Sequence, residues 1–223
     1  MDKNDIQLKQ DIEAELNWDP RVNAAQIGIT VDSGVVSLFG TVDTYAEKWA
    51  AEEATKRVNG VRTVAEDLKV KLTPGHAHSD QEIAGAVASG LKWNVFIPGT
   101  VTAQVQRGEV TLQGRVTWKF QRDAAEQLAR HVPGVVLVHD LITLEPTVAS
   151  ASPAQVKEKI EAALQRQATA DARSIHIHAS GGKVTLTGKA SSWQAIEDAA
   201  NAAWAAPGVT EVVDHVKHSM TTQ

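Results

Sequence analysis

Residues 36–61, with the sequence VSLFGTVDTYAEKWAAEEATKRVNGV, decide the fold because the chain contains this pattern three times. Each copy has an apolar strand ending in glycine, an alanine-rich helix, and a second glycine followed by valine. Both glycines recur at a spacing of 74 residues. We interpret them as structural glycines: Gly40, Gly114 and Gly188 at the strand ends, and Gly60, Gly134 and Gly208 after the helices. A spacing that is kept twice predicts three tandem repeats.

The segments on either side of this stretch complete one repeat. Upstream, Leu8, Ile12 and Leu16 lie four residues apart, which predicts an amphipathic first helix. Alternating apolar residues around a Ser33-Gly34 turn predict a β-hairpin. The strand–helix–strand passage that follows favours a right-handed crossover to a third strand. The predicted fold class is therefore α+β, with three tandem small αββαβ domains, each a mixed three-stranded sheet with two helices packed on one face.

Short, turn-rich linkers mark the boundaries between the repeats. They lie around Pro74-Gly75 and Glu145-Pro146, and they predict domains at residues 1–73, 74–147 and 148–223. Domains this small bury only a modest core. Because the sequence has no cysteine, it offers neither disulfides nor thiol chemistry.

Polar residues before the predicted helices indicate where each helix begins. Ser79 and Glu82 form a capping-box pattern, and Ser152 precedes a first-turn proline, Pro153. For the second helix of each repeat, the predicted N-caps are Asp43, Thr117 and Ser191.

Charge and motifs limit the classes of function. The net charge is −5 and no basic stripe is visible, so nucleic acid is not expected as a partner. No nucleophile elbow, phosphate-binding loop or zinc helix motif is present, so neither enzymatic activity nor a cofactor is predicted. The chain as given has no signal-peptide pattern, which predicts a cytoplasmic protein, or a periplasmic one if a signal was removed.

The third strand of each repeat carries a recurring motif, Gly-Val-x-x-Val-x-(Asp/Glu/Asn)-x-(Leu/Val/Ile). It reads GVRTVAEDL at residues 60–68, GVVLVHDLI at 134–142 and GVTEVVDHV at 208–216. Together with the glycine-terminated strand and the helix, this pattern resembles the BON domain, named for bacterial osmotically inducible and nodulation proteins. The resemblance implies a non-catalytic bacterial binding protein linked to osmotic and envelope stress and able to contact phospholipid.

One acid in each copy of the motif is the candidate ligand-binding residue. These acids are Glu66, Asp140 and Asp214, at positions where the BON family often has asparagine. Strand alternation places them on the apolar side of the sheet, where a carboxylate needs donors or water. Two interpretations stay open: a cation or small-ligand site in each repeat, or a structural cap on backbone amides.

Other residues suggest contacts with partners. Val35 and Phe39 lie on the otherwise polar outer face of the first hairpin and form a candidate contact patch. The six tryptophans suit a seam between repeats or a membrane interface, and the lack of a basic cluster favours the seam. His176 and His178 share a strand face, but the other repeats lack this pair, so no metal site is predicted.

Three functional hypotheses remain from the sequence. The first is a non-catalytic stress-linked protein that contacts phospholipid or a membrane-associated envelope protein. The alternatives are a cytosolic sensor of a monovalent or divalent cation, potassium-like, or of a small ligand, and a self-assembling scaffold that forms homo-oligomers.

Overall fold

A computed structural model describes residues 4–73, 75–145, 152–166, 174–190 and 193–218, and for Trp193, Gln194 and His218 it describes the backbone alone. In the first repeat, helix α1 spans Asp5–Trp18, strands β1 and β2 span Ile27–Asp32 and Val35–Val42, helix α2 spans Tyr45–Arg57, and strand β3 spans Thr63–Val70.

The other two repeats have the same order of elements. The second contains α3 (Asp80–Trp93), β4 (Thr102–Gln106), β5 (Glu109–Val116), α4 (Lys119–Arg130) and β6 (Leu137–Leu144). The third contains α5 (Pro153–Arg166), β7 (Ile175–Ser180), β8 (Lys183–Ala190), α6 (Trp193–Trp204) and β9 (Glu211–His218).

Each repeat has its own three-stranded mixed sheet. In the first, β2 is central, antiparallel to β1 and parallel to β3, and the third repeat pairs its strands in the same way. The second sheet has the corresponding order β4-β5-β6. The predicted α+β class, with three tandem domains of mixed three-stranded sheets, is confirmed.

Both helices of a repeat cover one face of its sheet. In the first repeat, the apolar stripe of α1 and two alanines of α2 share a buried cluster with the central strand: Leu8, Ile12, Leu16, Ala51, Ala54, Val36 and Leu38. Alanine side chains are short, which lets α2 lie close to the sheet. Burial of the aliphatic stripe of α1 stabilises the repeat by roughly 1.5–3 kcal/mol per side chain.

An aspartate at the start of the first helix holds the hairpin turn. The carboxylate of Asp5 accepts the N–H groups of Ser33 and Gly34 at 2.9 and 3.3 Å. In the second repeat, Asp80 accepts the N–H groups of Arg107 and Gly108 at 2.7 and 2.8 Å. Both residues of each turn have positive φ, as two-residue type I′ hairpin turns require. These aspartates therefore tie α1 and α3 to their hairpins.

The helix starts follow the predictions in part. Ser79 and Glu82 form the predicted capping box, and the hydroxyl of Ser152 accepts the N–H of Gln155. The predicted N-cap Asp43 is wrong, because Thr44 caps α2 and accepts the N–H of Glu47. Glu47 in turn accepts the N–H of Asp43, which moves the helix start by one residue.

The two remaining N-cap predictions have different outcomes. The predicted N-cap Thr117 is wrong by one residue, because α4 begins at Lys119 and Trp118 directly precedes it; the N–H of Thr117 donates to the side chain of Gln121 at 3.0 Å. Ser191 lies outside the described residues.

Candidate functional site

The candidate ligand Glu66 is held by contacts within its own repeat. It lies in the middle of β3, and its carboxylate accepts the N–H of Leu68 and pairs with the ammonium of Lys48 in α2 at 3.0 Å. The same ammonium donates to the carbonyl oxygen of Leu68 at 2.9 Å. Glu66 therefore fastens α2 to β3.

The equivalent acids occupy corresponding strand positions in separate sheets. Asp214 is exposed and accepts the N–H of Val216 at 2.7 Å, and Asp140 is partly buried in β6. Within the described parts of the chain, no group of three or more His, Asp or Glu side chains is placed to hold a metal ion. The amide-capping role matches the geometry of Glu66 and Asp214, and a cation or ligand role for the three acids stays a prediction.

The structural glycines lie where the backbone is tightly constrained. Gly40 has φ +125°, and an added Cβ would lie 2.1 Å from the carbonyl oxygen of Gln26. The five others also have positive φ: Gly114 (139°), Gly188 (125°), Gly60 (109°), Gly134 (90°) and Gly208 (84°). Positive φ disfavours any residue with a side chain, which is why the glycine pattern follows the repeat.

The candidate contact patch of the first hairpin is half exposed. Val35 and Phe39 lie on the face of the sheet away from the helices. Phe39 is directly opposite Gly28 across the hairpin, and a Cβ built on Gly28 would lie 2.2 Å from the ring. The ring therefore covers the bare backbone of Gly28. This contact accounts for Phe39 structurally, and its role in partner binding stays a prediction.

The tryptophans divide between solvent and the repeat contacts. Trp18 and Trp93, at the ends of α1 and α3, are 83% and 82% exposed. Trp49, Trp118 and Trp204 are partly buried. The side chain of Trp193 lies outside the described residues. The expected seam between repeats includes Trp49 and Trp204, which contact cationic side chains of a neighbouring repeat, while the indoles at the ends of the first helices face solvent.

The second repeat exposes a group of large apolar side chains, which we call the apolar surface: Trp93, Val95, Phe96 and Phe120. Three of them lie within the four residues that end α3 and follow it, and Val95 is 90% exposed. Phe96 and Phe120 meet edge to face, with ring centroids 6.1 Å apart and an interplanar angle of 84°. Aromatic pairs prefer this geometry.

The same place in the first repeat is charged instead of apolar. There the residues after Trp18 include Asp19, which is 6% exposed, and Arg21. The carboxylate of Asp19 accepts hydrogen bonds from the guanidinium groups of Arg21 at 2.7 Å and Arg57 at 3.0 Å. The apolar surface is therefore specific to the second repeat when these two repeats are compared.

A cation and an indole join the second helices of the first two repeats. The guanidinium of Arg130, in the last turn of α4, lies 3.7 Å from the ring centroid of Trp49, in the second turn of α2. Glu126 pairs with Arg130 one turn earlier in α4. This contact lies within one compact unit, formed by the first repeat with residues 75–95, 102–113 and 125–141.

A similar pair joins the second and third repeats. Lys119 and Arg122, in the first two turns of α4, lie 5.8 and 6.0 Å from the ring centroid of Trp204, in the last turn of α6. This contact lies within the other compact unit, which contains the third repeat with residues 96–101, 114–124 and 142–145. A cation above an indole ring is attracted by its negative face.

The sequence predicted neither the apolar surface nor the cationic partners of the tryptophans. Comparison of the copies gives a signal for the surface, because Phe120 stands where the first repeat has Ala46 and Phe96 follows a helix-end tryptophan. The cation–indole pairs between repeats gave no such signal, since they join residues that are 81, 82 or 85 positions apart in the chain (49 to 130, 122 to 204 and 119 to 204).

Comparisons with known proteins identify the repeat unit. The sequence profile of the BON domain matches residues 4–71, 79–146 and 152–219. The chain is 30% identical to osmotically-inducible protein Y of Escherichia coli (strain K12) over 150 residues, which is 64% of this chain and 73% of that protein. It is 28% identical to the 21 kDa hemolysin of Actinobacillus pleuropneumoniae over 136 residues, which is 59% of this chain and 70% of that protein.

Among solved structures, the chain is similar to CdsD, a structural protein of the Type III secretion system of Chlamydia trachomatis. The identity is 16%, and the match covers 96% of this chain and 93% of that one with a TM-score of 0.27. So low a TM-score carries no argument about function. No helix among the described residues is long and apolar enough to cross a membrane.

Proposed function

Because this chain belongs to the BON domain family and carries the domain three times, we propose that it is a non-catalytic binding protein of the osmotic or envelope stress response that contacts phospholipid through its second repeat. Its relative osmotically-inducible protein Y supports the link to osmotic stress by its name. The observation that carries the lipid contact is the apolar surface, above all the exposed segment from Trp93 to Phe96.

The chemistry of this surface suits a bilayer interface. Tryptophan and phenylalanine rings are stable at the level of the headgroups and upper acyl chains. There an apolar ring is removed from water although the protein does not span the membrane. Isolated apolar residues are common on protein surfaces, but three large exposed ones within four consecutive residues (Trp93, Val95 and Phe96), one of them in edge-to-face contact with Phe120, are a marker of interaction sites.

The charge of the protein defines the kind of lipid contact. With a net charge of −5, the chain gains little from attraction to anionic headgroups. The contact is therefore driven by insertion of apolar side chains, and we expect adsorption to zwitterionic phosphatidylcholine vesicles to be at least as strong as adsorption to vesicles containing phosphatidylglycerol.

The two exposed tryptophans offer a matched test. We expect Trp93→Ala to weaken adsorption to phosphatidylcholine vesicles about tenfold, the loss that removal of one buried large apolar side chain causes. Trp18→Ala removes an equally exposed indole at the same place in the first repeat, where the neighbours are charged, and we expect it to leave adsorption unchanged. Vesicle co-sedimentation and the shift of tryptophan emission measure both.

Two results would contradict the proposal. Equal losses in the two tryptophan variants would overturn the assignment to the second repeat. If the wild-type protein adsorbs to neither kind of vesicle, the lipid contact is wrong and an envelope protein becomes the expected partner of the apolar surface. The double substitution Val95→Glu and Phe96→Glu provides a second variant, which we expect to abolish adsorption.

The cation-sensor alternative has less support from the geometry. Glu66 is already paired with Lys48, and both Glu66 and Asp214 accept hydrogen bonds from backbone amides. A cation would have to compete with these donors at each site.

A further inference from the structure

Both contacts between successive repeats use corresponding parts of the second helices. In each case the first two turns of one helix (Trp49 in α2; Lys119 and Arg122 in α4) meet the last turn of the next (Arg130 in α4; Trp204 in α6). Trp49 and Arg122 are one residue apart in the repeat alignment, and Arg130 and Trp204 are equivalent, being 74 residues apart. In the first contact the earlier helix supplies the indole and the later helix the cation, and in the second contact the reverse holds. In both, the beginning of the earlier helix meets the end of the later one.

In both cases the contact joins the first two turns of one helix to the last turn of the next, so among the described residues one half of the contact has no partner repeat at each end of the series. At the beginning, this half is the last turn of α2, where Lys56, the equivalent of Arg130, pairs with Glu52 and lies 5.9 Å from the ring centroid of Trp49 in its own helix. At the end, it is the second turn of α6, where Glu197 is the equivalent of Trp49 and Asp123. Interfaces of this kind join two different surfaces and can add further copies.

Residues that contact another repeat are more buried than the equivalent residues at the two ends of the series. The side chain of Arg130, seated on Trp49, is 16% exposed, whereas that of Lys56 is 53% exposed. Trp49 and Asp123 are partly buried, whereas Glu197 is exposed. Lys56 also resembles Arg130 in its support, since Glu52 pairs with it at 2.6 Å as Glu126 pairs with Arg130.

We propose that a second copy of this chain docks head to tail on the first, with the second turn of its α6 (Glu197) against the last turn of α2 (Lys56). The two surfaces are complementary in charge, because a lysine faces a glutamate. The contact continues the pattern by which the repeats within one chain already meet. Since each copy keeps one free half, association continues beyond a dimer or closes into a ring.

The experiment is sedimentation velocity of the full chain from about 1 μM to about 1 mM, the range in which weak self-association is measured. We expect species larger than the monomer to increase with concentration. Lys56→Glu and Glu197→Lys each place like charges in the contact, and we expect each to weaken association about five- to tenfold. The double variant restores opposite charges with the sides exchanged, and we expect it to recover association.

Lys157→Glu is the matched control. Lys157 is an exposed lysine that pairs with a glutamate one turn later on α5, so its reversal removes a comparable helical ion pair away from the proposed contact. Circular dichroism is used to check that each variant is folded. A wild-type protein that is monomeric throughout, an equal effect of Lys157→Glu and Lys56→Glu, or a double variant that fails to recover would each overturn the proposal. The lipid contact of the second repeat is tested separately by vesicle adsorption, so either proposal can fail alone.

Discussion

At the residue scale, Asp19 is a buried carboxylate that is held by two arginines. Its carboxylate accepts the guanidinium and the backbone N–H of Arg21 and the guanidinium of Arg57. The hydrogen bond from the side chain of Arg21 is the largest cause that holds the pKa of Asp19 well below its usual range, and burial opposes it. The same contacts raise the pKa of both arginines. Asp19 thus joins the end of α1 to the last turn of α2.

We predict that this carboxylate stabilises the first repeat above the pKa of an unfolded aspartate, near pH 4. Because its folded pKa is depressed, the contribution is lost as pH falls from that value toward the folded pKa. Asp19→Asn should lower the free energy of unfolding by about 1–3 kcal/mol at neutral pH, since a charged hydrogen-bonding partner of two arginines is removed.

Urea unfolding at pH 7 and pH 3 measures the effect. The difference between wild type and variant should be smaller at pH 3, where the wild-type carboxylate has lost part of its advantage. Asp67→Asn, at an exposed position of β3, is the control and should change neither value. An Asp19→Asn effect that is equal at both pH values would show that the charge of Asp19 is not what stabilises the repeat.

At the element scale, the β1–β2 hairpin depends on a compensating pair. Gly28 and Phe39 are opposite each other, and the ring occupies the space that a side chain on residue 28 would need. The equivalent pairs are Thr102 with Gln113 in the second repeat, and His176 with Thr187 in the third. The glycine and the aromatic therefore occur together in the first repeat, and neither is present in the others.

We predict strong coupling between the two positions. Gly28→Thr alone should destabilise the protein by about 1–3 kcal/mol, because the new side chain meets the Phe39 ring. Adding Phe39→Gln recreates the pair of the second repeat, and we expect it to recover about 1–2 kcal/mol. A double-mutant cycle of thermal or urea unfolding, completed by Phe39→Gln alone, gives the coupling. Additive effects would mean that the ring does not occupy this space in solution.

At the scale of the whole molecule, the two proposed surfaces differ in chemistry. The apolar surface of the second repeat carries four large apolar side chains. The proposed head-to-tail contact joins Lys56 to Glu197, both exposed and of opposite charge. The chain as a whole is acidic, with a net charge of −5, so neither surface is helped by an overall attraction.

Salt should therefore separate the two activities. Raising ionic strength from about 0.1 M to about 1 M shortens the screening length from ~10 to ~3 Å, which weakens contacts between exposed charges. We expect self-association to fall several-fold, while adsorption to phosphatidylcholine vesicles stays the same or rises. Sedimentation and vesicle co-sedimentation in the same buffers measure both, and a loss of vesicle adsorption at high salt would contradict the apolar mechanism.

Most of the fold could be predicted because its signals are local. Leu8, Ile12 and Leu16 share a face through helical geometry alone, and the Ser33-Gly34 turn needs positive φ wherever it stands. The N-cap of α2 was misplaced by one residue because two neighbouring residues, Asp43 and Thr44, can both cap a helix. Glu47 decides between them through its contacts with the amides of Asn23 and Asp43.

The candidate site was less predictable. The position of Glu66 on the helix side of β3 follows from strand alternation, but its partner Lys48 belongs to a different element. Likewise, Trp18 and Trp49 are both single indoles on amphipathic helices. The sequence around Trp18 does not indicate that its ring faces solvent, and the sequence around Trp49 does not indicate that a guanidinium from another repeat packs on its ring.

The sequence by itself determined three tandem BON domains, the order of their elements and the faces that each helix and strand buries. These features depend on periodicity and on glycines whose backbone conformation excludes other residues. Only the tertiary structure decided which indoles are exposed, where cations contact them and which ends of the second helices meet another repeat. These contacts join residues far apart in the chain, and their existence depends on where folding places each surface.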